Sequence, residues 1–224
     1  MLRSPAEPVL SPASAPGRGG PDAPNEDSGR PARALAWLLL LGGLTGLVAS
    51  FVLAVEKYAL LADPSYVPTC SLNPILSCGS VMASQQAEAF GFPNPLLGVV
   101  GFSVVAATGA ALLAGARLAG WYWAGLQVGA TAAVVFVHWL IYSSLYRIEA
   151  LCPYCMVVWA VTIPAFWYVT LHNLTAVAPR MPARVRAVAS AATGAHGVVL
   201  TAWFLLIVAA VLERFWLYWS SLVG

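Results

Sequence analysis

Charge is what this chain has least of. Only 9% of its 224 residues are Asp, Glu, Lys or Arg, against roughly 25% in soluble globular domains. That scarcity excludes an ordinary water-soluble domain and, with a hydrophobic content of 60%, points to the lipid bilayer as solvent. The chain also lacks an internal repeat, a Gly-rich phosphate loop and any basic patch interleaved with aromatics, so nucleotide and nucleic-acid binding have no support. Nothing suggests a flavin or haem site. Ionisable residues are nearly absent from the apolar runs, which argues against an ion-coupled transporter. Cysteine is scarce too: Cys70, Cys78, Cys152 and Cys155 are the whole complement.

What is present is apolar sequence in long blocks. Runs of about 20 apolar residues, enough for a helix to cross about 30 Å of hydrocarbon, lie at 34–55, 96–118, 123–145, 153–171 and 197–218. The predicted fold is an all-α membrane protein of five transmembrane helices. Residues 1–33, rich in Pro, Gly, Ala and Ser, read as a disordered cytoplasmic tail. They are not a secretory signal, because the first apolar run starts late, is too long, and lacks a small-residue cleavage site. Residues 34–173 form a four-helix unit with a polar loop at 56–95, residues 174–196 a cytoplasmic linker, and residues 197–224 the fifth span.

Basic residues set the orientation. Arg3, Arg18, Arg30, Arg33, Arg117, Arg180, Arg184 and Arg186 fall on one side of the predicted spans, and Lys57, Arg147 and Arg214 on the other. The positive-inside rule places the N-terminus in the cytoplasm and the C-terminus outside. All four cysteines then lie on the outer face, where disulfide chemistry is permitted.

Seven residues separate Cys70 from Cys78, including the turn-forming Asn73-Pro74, and a disulfide closing this loop is possible. Residues 80–90 mix Val81, Ala89 and Phe90 with polar side chains, a pattern for a short amphipathic helix on the membrane surface. Cys152-Pro153-Tyr154-Cys155 opens the fourth span. Pro153 suits the first helical position, making Cys152 the N-cap and Cys155 the third residue, with both sulfurs on one face. The helix dipole there favours a thiolate, while an apolar site opposes one. Three other readings stand beside redox relay. The loop pair can be a structural disulfide, four cysteines can hold zinc, and Cys-Pro-Tyr-Cys occurs in soluble glutaredoxin-like folds. The last lacks the βαβ pattern it needs.

With these residues in view, the chain resembles the vitamin K epoxide reductase family, in particular bacterial homologues that oxidise thiol partners with quinone. The resemblance runs from about residue 34 to 168. It rests on the two loop cysteines, Ser84 six residues after Cys78, Phe92-Pro93-Asn94-Pro95-Leu96-Leu97-Gly98, and the Cys-x-x-Cys opening the fourth helix. It implies four helices around a quinone pocket capped by a loop helix, to which bacterial members commonly add a fifth. Carried over, Cys155 faces the quinone, Cys152 is its partner, Cys78 shuttles to Cys152, and Cys70 meets an external thiol protein. Asn94 matches a position that hydrogen-bonds a quinone carbonyl, although Asn between two prolines is also an ordinary turn. Ser84 is a weaker pocket candidate, as serine on a short helix commonly caps or faces solvent. Where animal enzymes carry a tyrosine four residues after the last cysteine, this chain has Trp159, so their substrate and inhibitor preferences do not carry over.

The resemblance thus implies a membrane thiol:quinone oxidoreductase, its acceptor a lipid quinone of menaquinone, vitamin K or ubiquinone type. An Ala-, Gly- and Arg-rich composition points to a high-GC bacterium, for which menaquinone is the expected quinone. Many bacterial relatives append a thioredoxin-like domain, whereas this sequence stops at Gly224, so a DsbA-like or thioredoxin-like partner is expected in trans. Reduction of quinone or vitamin K epoxide as the main role, and a non-enzymatic scaffold or transporter braced by disulfides, are the alternatives. His138 inside the third span is either functional or a neutral hydrogen-bonding staple. Gly42, Gly43 and Gly46 suit close helix packing, and Trp121, Tyr122, Trp123, Trp216, Tyr218 and Trp219 an interfacial belt.

Overall fold

A computed structural model describes residues 26–73 and 75–223. Most of the predicted tail, and Pro74 of the predicted loop turn, lie outside them. Among the described residues eight α-helices follow in order: α1 (Glu26–Ala62), α2 (Cys78–Met82), α3 (Pro95–Leu113), α4 (Gly120–Ser143), α5 (Pro153–Val177), α6 (Ala183–Gly194), α7 (His196–Arg214) and α8 (Trp216–Val223). Short turns of tighter or wider helix cover Gln85–Glu88, Ser144–Ile148 and Ala178–Arg180. Among the described residues there is no strand, only an isolated parallel bridge between Leu76 and Leu151.

Five segments are long and apolar enough to cross a membrane: Arg33–Ala62, Pro95–Leu113, Gly120–Ile148, Pro153–Arg180 and His196–Arg214. The all-α, five-span prediction therefore holds, with corrections at its edges. α1 begins at Glu26, so residues 26–33 are helical rather than tail. The predicted linker at 174–196 is itself largely helical, carrying the end of α5 and α6. Large apolar side chains such as Leu41, Val48, Phe51, Val100 and Val135 are exposed, as lipid-facing positions of a bundle must be.

The tightest interface joins α1 to α3. A Cβ on Gly43 would stand 2.5 Å from the backbone nitrogen of Ala106, and one on Gly109 2.3 Å from that of Leu40. Lipid gives apolar helices no hydrophobic reason to associate, so close backbone packing at small residues must hold this pair. Gly42 instead faces Val161 at an ordinary 3.9 Å. Gly109→Ala forces backbone apart and should cost about 1–3 kcal/mol. The measurement is the Tm in detergent, which should fall for Gly109→Ala and not for Gly101→Ala, whose Cβ would meet nothing within 4 Å.

α7 is peripheral, with no buried residue; Ile207, Ala210 and Val211 pack on the neighbouring core, and polar contacts reach it at Trp203 and Arg214. Trp203 Nε1 donates to His138 Nε2 at 2.9 Å, while His138 Nδ1 lies 2.7 Å from the Val134 carbonyl. An indole can only donate, so Nε2 is the acceptor and Nδ1 carries the proton. His138 thus staples α4 to α7. At the other end, Arg214 binds the Leu145 carbonyl at 3.0 Å and pairs with Glu149.

Candidate active site

The site forms where the C-terminal end of α1 meets the N-terminal ends of α3 and α5. Glu56, buried near the end of α1, accepts hydrogen bonds from Tyr66 Oη at 2.9 Å and Thr69 Oγ1 at 2.6 Å. Thr69 precedes Cys70, so a buried carboxylate fixes the loop one residue from a sulfur. The far side of the loop is fixed by the isolated bridge. Leu151 N donates to the Ile75 carbonyl at 2.7 Å, and Ser77 N to the Leu151 carbonyl at 2.9 Å. Ser77 also caps α2, its hydroxyl accepting from Ser80 N. Cys78 follows Ser77 and Cys152 follows Leu151, the two residues joined by the second bridge bond.

Cys70 and Cys78 form a disulfide with Cα atoms 5.5 Å apart, while Cys152 and Cys155 are free thiols. The sulfurs of Cys78 and Cys152 approach to 3.1 Å, and both residues are fully buried. Those of Cys70, Cys78 and Cys152 all lie within 4.8 Å of one another. With two of these three joined in a disulfide, the cluster is arranged for thiol exchange rather than for ligating a metal through thiolates. Cys152 is the N-cap of α5 and Pro153 opens that helix. A hydrogen bond from the Cys155 thiol lowers the Cys152 pKa below its ordinary value, and the backbone N–H groups of Cys155 and Tyr154 add to this against the opposing effect of burial. Cys152 is thereby biased toward thiolate beside a disulfide sulfur, the geometry that exchange requires.

Cys155 opens onto a cavity of about 740 Å³. Its walls come from α1 (Ser50, Leu53, Lys57), the loop (Val81, Ser84, Gln86, Asn94), α3 (Phe102), α4 (Phe136, Leu140) and α5 (Cys155, Trp159). Predicted as one helix, residues 80–90 instead divide into α2 and the 3-10 turn Gln85–Glu88. The break falls at Ser84, whose hydroxyl turns back onto the Val81 carbonyl at 2.6 Å. Asn94 clamps this turn: its Nδ2 donates to the Gln86 carbonyl at 2.6 Å and its Oδ1 accepts from Ala89 N at 3.1 Å. Both residues line the cavity, yet their hydrogen bonds go to the loop backbone.

The model of the vitamin K epoxide reductase family matches residues 37–170, more than half of the chain. The chain belongs to the vitamin K epoxide reductase family. A comparison with curated proteins returns no match. Family membership makes this a multi-pass membrane protein with oxidoreductase activity, in a family whose members are generally linked to quinone and to thiol proteins. The matched region contains all four cysteines and leaves α7 outside it.

The cavity of this family member suits a quinone on its own evidence. Its volume falls within the roughly 300–1,000 Å³ of small-molecule sites, and its lining is mostly apolar. Trp159, one helical turn after Cys155, is only 4% exposed, and its Nε1 has no hydrogen-bond partner. A buried donor without an acceptor is costly. A ring carbonyl beside Cys155 would supply the missing acceptor. The sequence offered little sign of this orphaned donor, of the Leu76–Leu151 bridge, or of Glu56 and Lys57. The only available signal for the last two was an acid–base pair interrupting the end of an apolar run.

Proposed function

We propose that this protein is a membrane thiol:quinone oxidoreductase that makes disulfides for a DsbA-like or thioredoxin-like protein acting in trans. The observation that carries the reading is the 3.1 Å approach of the Cys78 and Cys152 sulfurs, with Cys155 in the wall of an apolar cavity. A disulfide that merely braced a loop has no need of a second thiol within exchange distance.

Electrons enter at Cys70, which meets the partner's thiolate. As the partner's disulfide forms, Cys70 and Cys78 are reduced. The Cys78 thiolate then attacks Cys152 of a Cys152–Cys155 disulfide and releases Cys155. Cys70 attacks Cys78 in turn, which restores Cys70–Cys78 and leaves Cys152 and Cys155 as thiols. That is the oxidation state of the four cysteines described above. Closing Cys152–Cys155 again releases two electrons and two protons, and a bound lipid quinone supplies the two-electron acceptor. The apolar walls keep water from Cys155, and Trp159 orients a carbonyl toward it.

On this reading the cysteine end faces outward and Arg180, Arg184 and Arg186 face the cytoplasm, in line with the positive-inside rule. A cysteine inserted near Arg184 should resist a membrane-impermeant thiol reagent in intact cells; its labelling would reverse the orientation. The functional test uses the purified protein in nanodiscs with a reduced DsbA-like protein. Oxidation of that protein only when quinone is supplied supports the reading. Failure to oxidise it with any lipid quinone contradicts it.

A further inference from the structure

Lys57 is the one Lys, Arg, His, Asp or Glu among the described residues lining the cavity. It is only 6% exposed. Its Nζ donates to the Met82 carbonyl at 2.7 Å and lies 2.9 Å from Glu88 Oε1. The Glu88 side chain, on the 3-10 turn, is 39% exposed. The pair therefore joins an apolar cavity to water through one ion contact.

The position of Lys57 along the cavity is set by Leu53, one turn earlier on α1. Leu53 packs with Cys78, Met82 and Cys152, and Cys155 leans on the same cluster. Lys57 thus stands at the cysteine end, where reduction of a quinone takes place. The groups that touch it are Glu88 from the turn and the Met82 carbonyl from α2, and Cys155 from α5 lines the same cavity. Glu56, its neighbour on α1, is turned to Tyr66 and Thr69. Fastening the loop does not by itself account for the pair, because an ion pair open to water on one side contributes little to stability. A cation aimed at a site where negative charge develops is a recurrent catalytic device.

Building on the quinone reading above, we propose that Lys57 is the acid that protonates the reduced quinone oxygen, and that Glu88 returns a proton to it from solvent. The sum balances. Closing Cys152–Cys155 forms one S–S bond, breaks two S–H bonds, and releases two electrons and two protons. Both electrons pass to the quinone, which forms two O–H bonds. One proton arrives from the Cys155 thiol and one from the Lys57 ammonium. The Cys152 proton leaves to water, and Glu88 draws one proton from water to restore Lys57.

The test uses full-length protein in nanodiscs with a short-chain menaquinone and three variants. Lys57→Met removes donor and charge, Lys57→Arg keeps the charge but holds its proton, and Glu88→Gln cuts the route to solvent. Folding is checked by dithiothreitol-driven exchange between the two cysteine pairs, which every variant should retain. Without turnover, the infrared carbonyl stretch of bound oxidised menaquinone should move to higher frequency in Lys57→Met and stay near wild type in Lys57→Arg. Quinone reduction should fall about a hundredfold in both, the scale of losing a general acid, and about tenfold in Glu88→Gln, with partial recovery in added acetate. Wild-type rates in Lys57→Arg, or an unmoved carbonyl band in Lys57→Met, would overturn the assignment. A wild-type protein that neither binds nor reduces the quinone overturns the parent reading instead.

Discussion

Replacing Cys155 by Ala is expected to abolish quinone reduction with every electron donor. It removes the only cysteine that lines the cavity, so electrons reaching Cys152 have no exit. Loss of a residue that acts directly on the reacting partner lowers turnover on the order of 10⁴-fold. The same change alters the thiol chemistry. Cys152 can still exchange with Cys78, 3.1 Å away, but Cys155 no longer resolves the bond, and Cys70 alone can reverse it. Mass spectrometry should find a Cys78–Cys152 peptide in Cys155→Ala, and Cys70→Ala in addition should lock it. Turnover of Cys155→Ala at the wild-type rate would remove that residue from the mechanism. Recovery of Cys70–Cys78 alone, whatever the redox buffer, would favour a structural loop disulfide.

The second large effect separates the two cysteine pairs by donor. Cys70→Ala should lose oxidation of a DsbA-like protein almost completely, because the sulfur that meets the partner is gone. A small dithiol needs no docking surface, so dithiothreitol should still reduce Cys152–Cys155 and sustain quinone reduction. The measurement is quinone consumption by one preparation with each donor in turn. Equal loss with both donors would mean that Cys70 serves the fold rather than the relay, and equal retention would mean that the partner enters elsewhere.

Much of the fold was legible because lipid imposes a simple requirement on composition. A helix crossing hydrocarbon needs about 20 apolar residues, and five runs of that kind became five helices. Helix ends were less legible. Beyond the bilayer no apolar length restrains them, and α1 extends back to Glu26 where composition suggested a tail. The cap at Cys152-Pro153 was readable because Pro fits the first helical position and little else in a helix. The single Leu76–Leu151 bridge carries no alternating pattern, so composition and spacing did not announce it, and the meeting of Cys78 with Cys152 was legible only through the family resemblance. Residues 80–90 were amphipathic enough for one helix, but Ser84 spends its hydroxyl on Val81 and the helix divides. Asn94, expected to address a ligand, lines the cavity and also binds the backbone at Gln86 and Ala89, which the sequence did not foretell. A composition-based reading assigns Lys57 to topology, and only its burial against Met82 and Glu88 marks it as part of the cavity.

The most direct test of the central claim is the stoichiometry between disulfide and quinone. The purified protein is supplied with a known amount of menaquinone and an excess of reduced DsbA-like protein without oxygen, and both products are counted in the same sample. The relay described here gives one partner disulfide for each quinone reduced, and neither product in Cys155→Ala. Partner disulfides forming without quinol, or quinol accumulating with no partner disulfide, would contradict it.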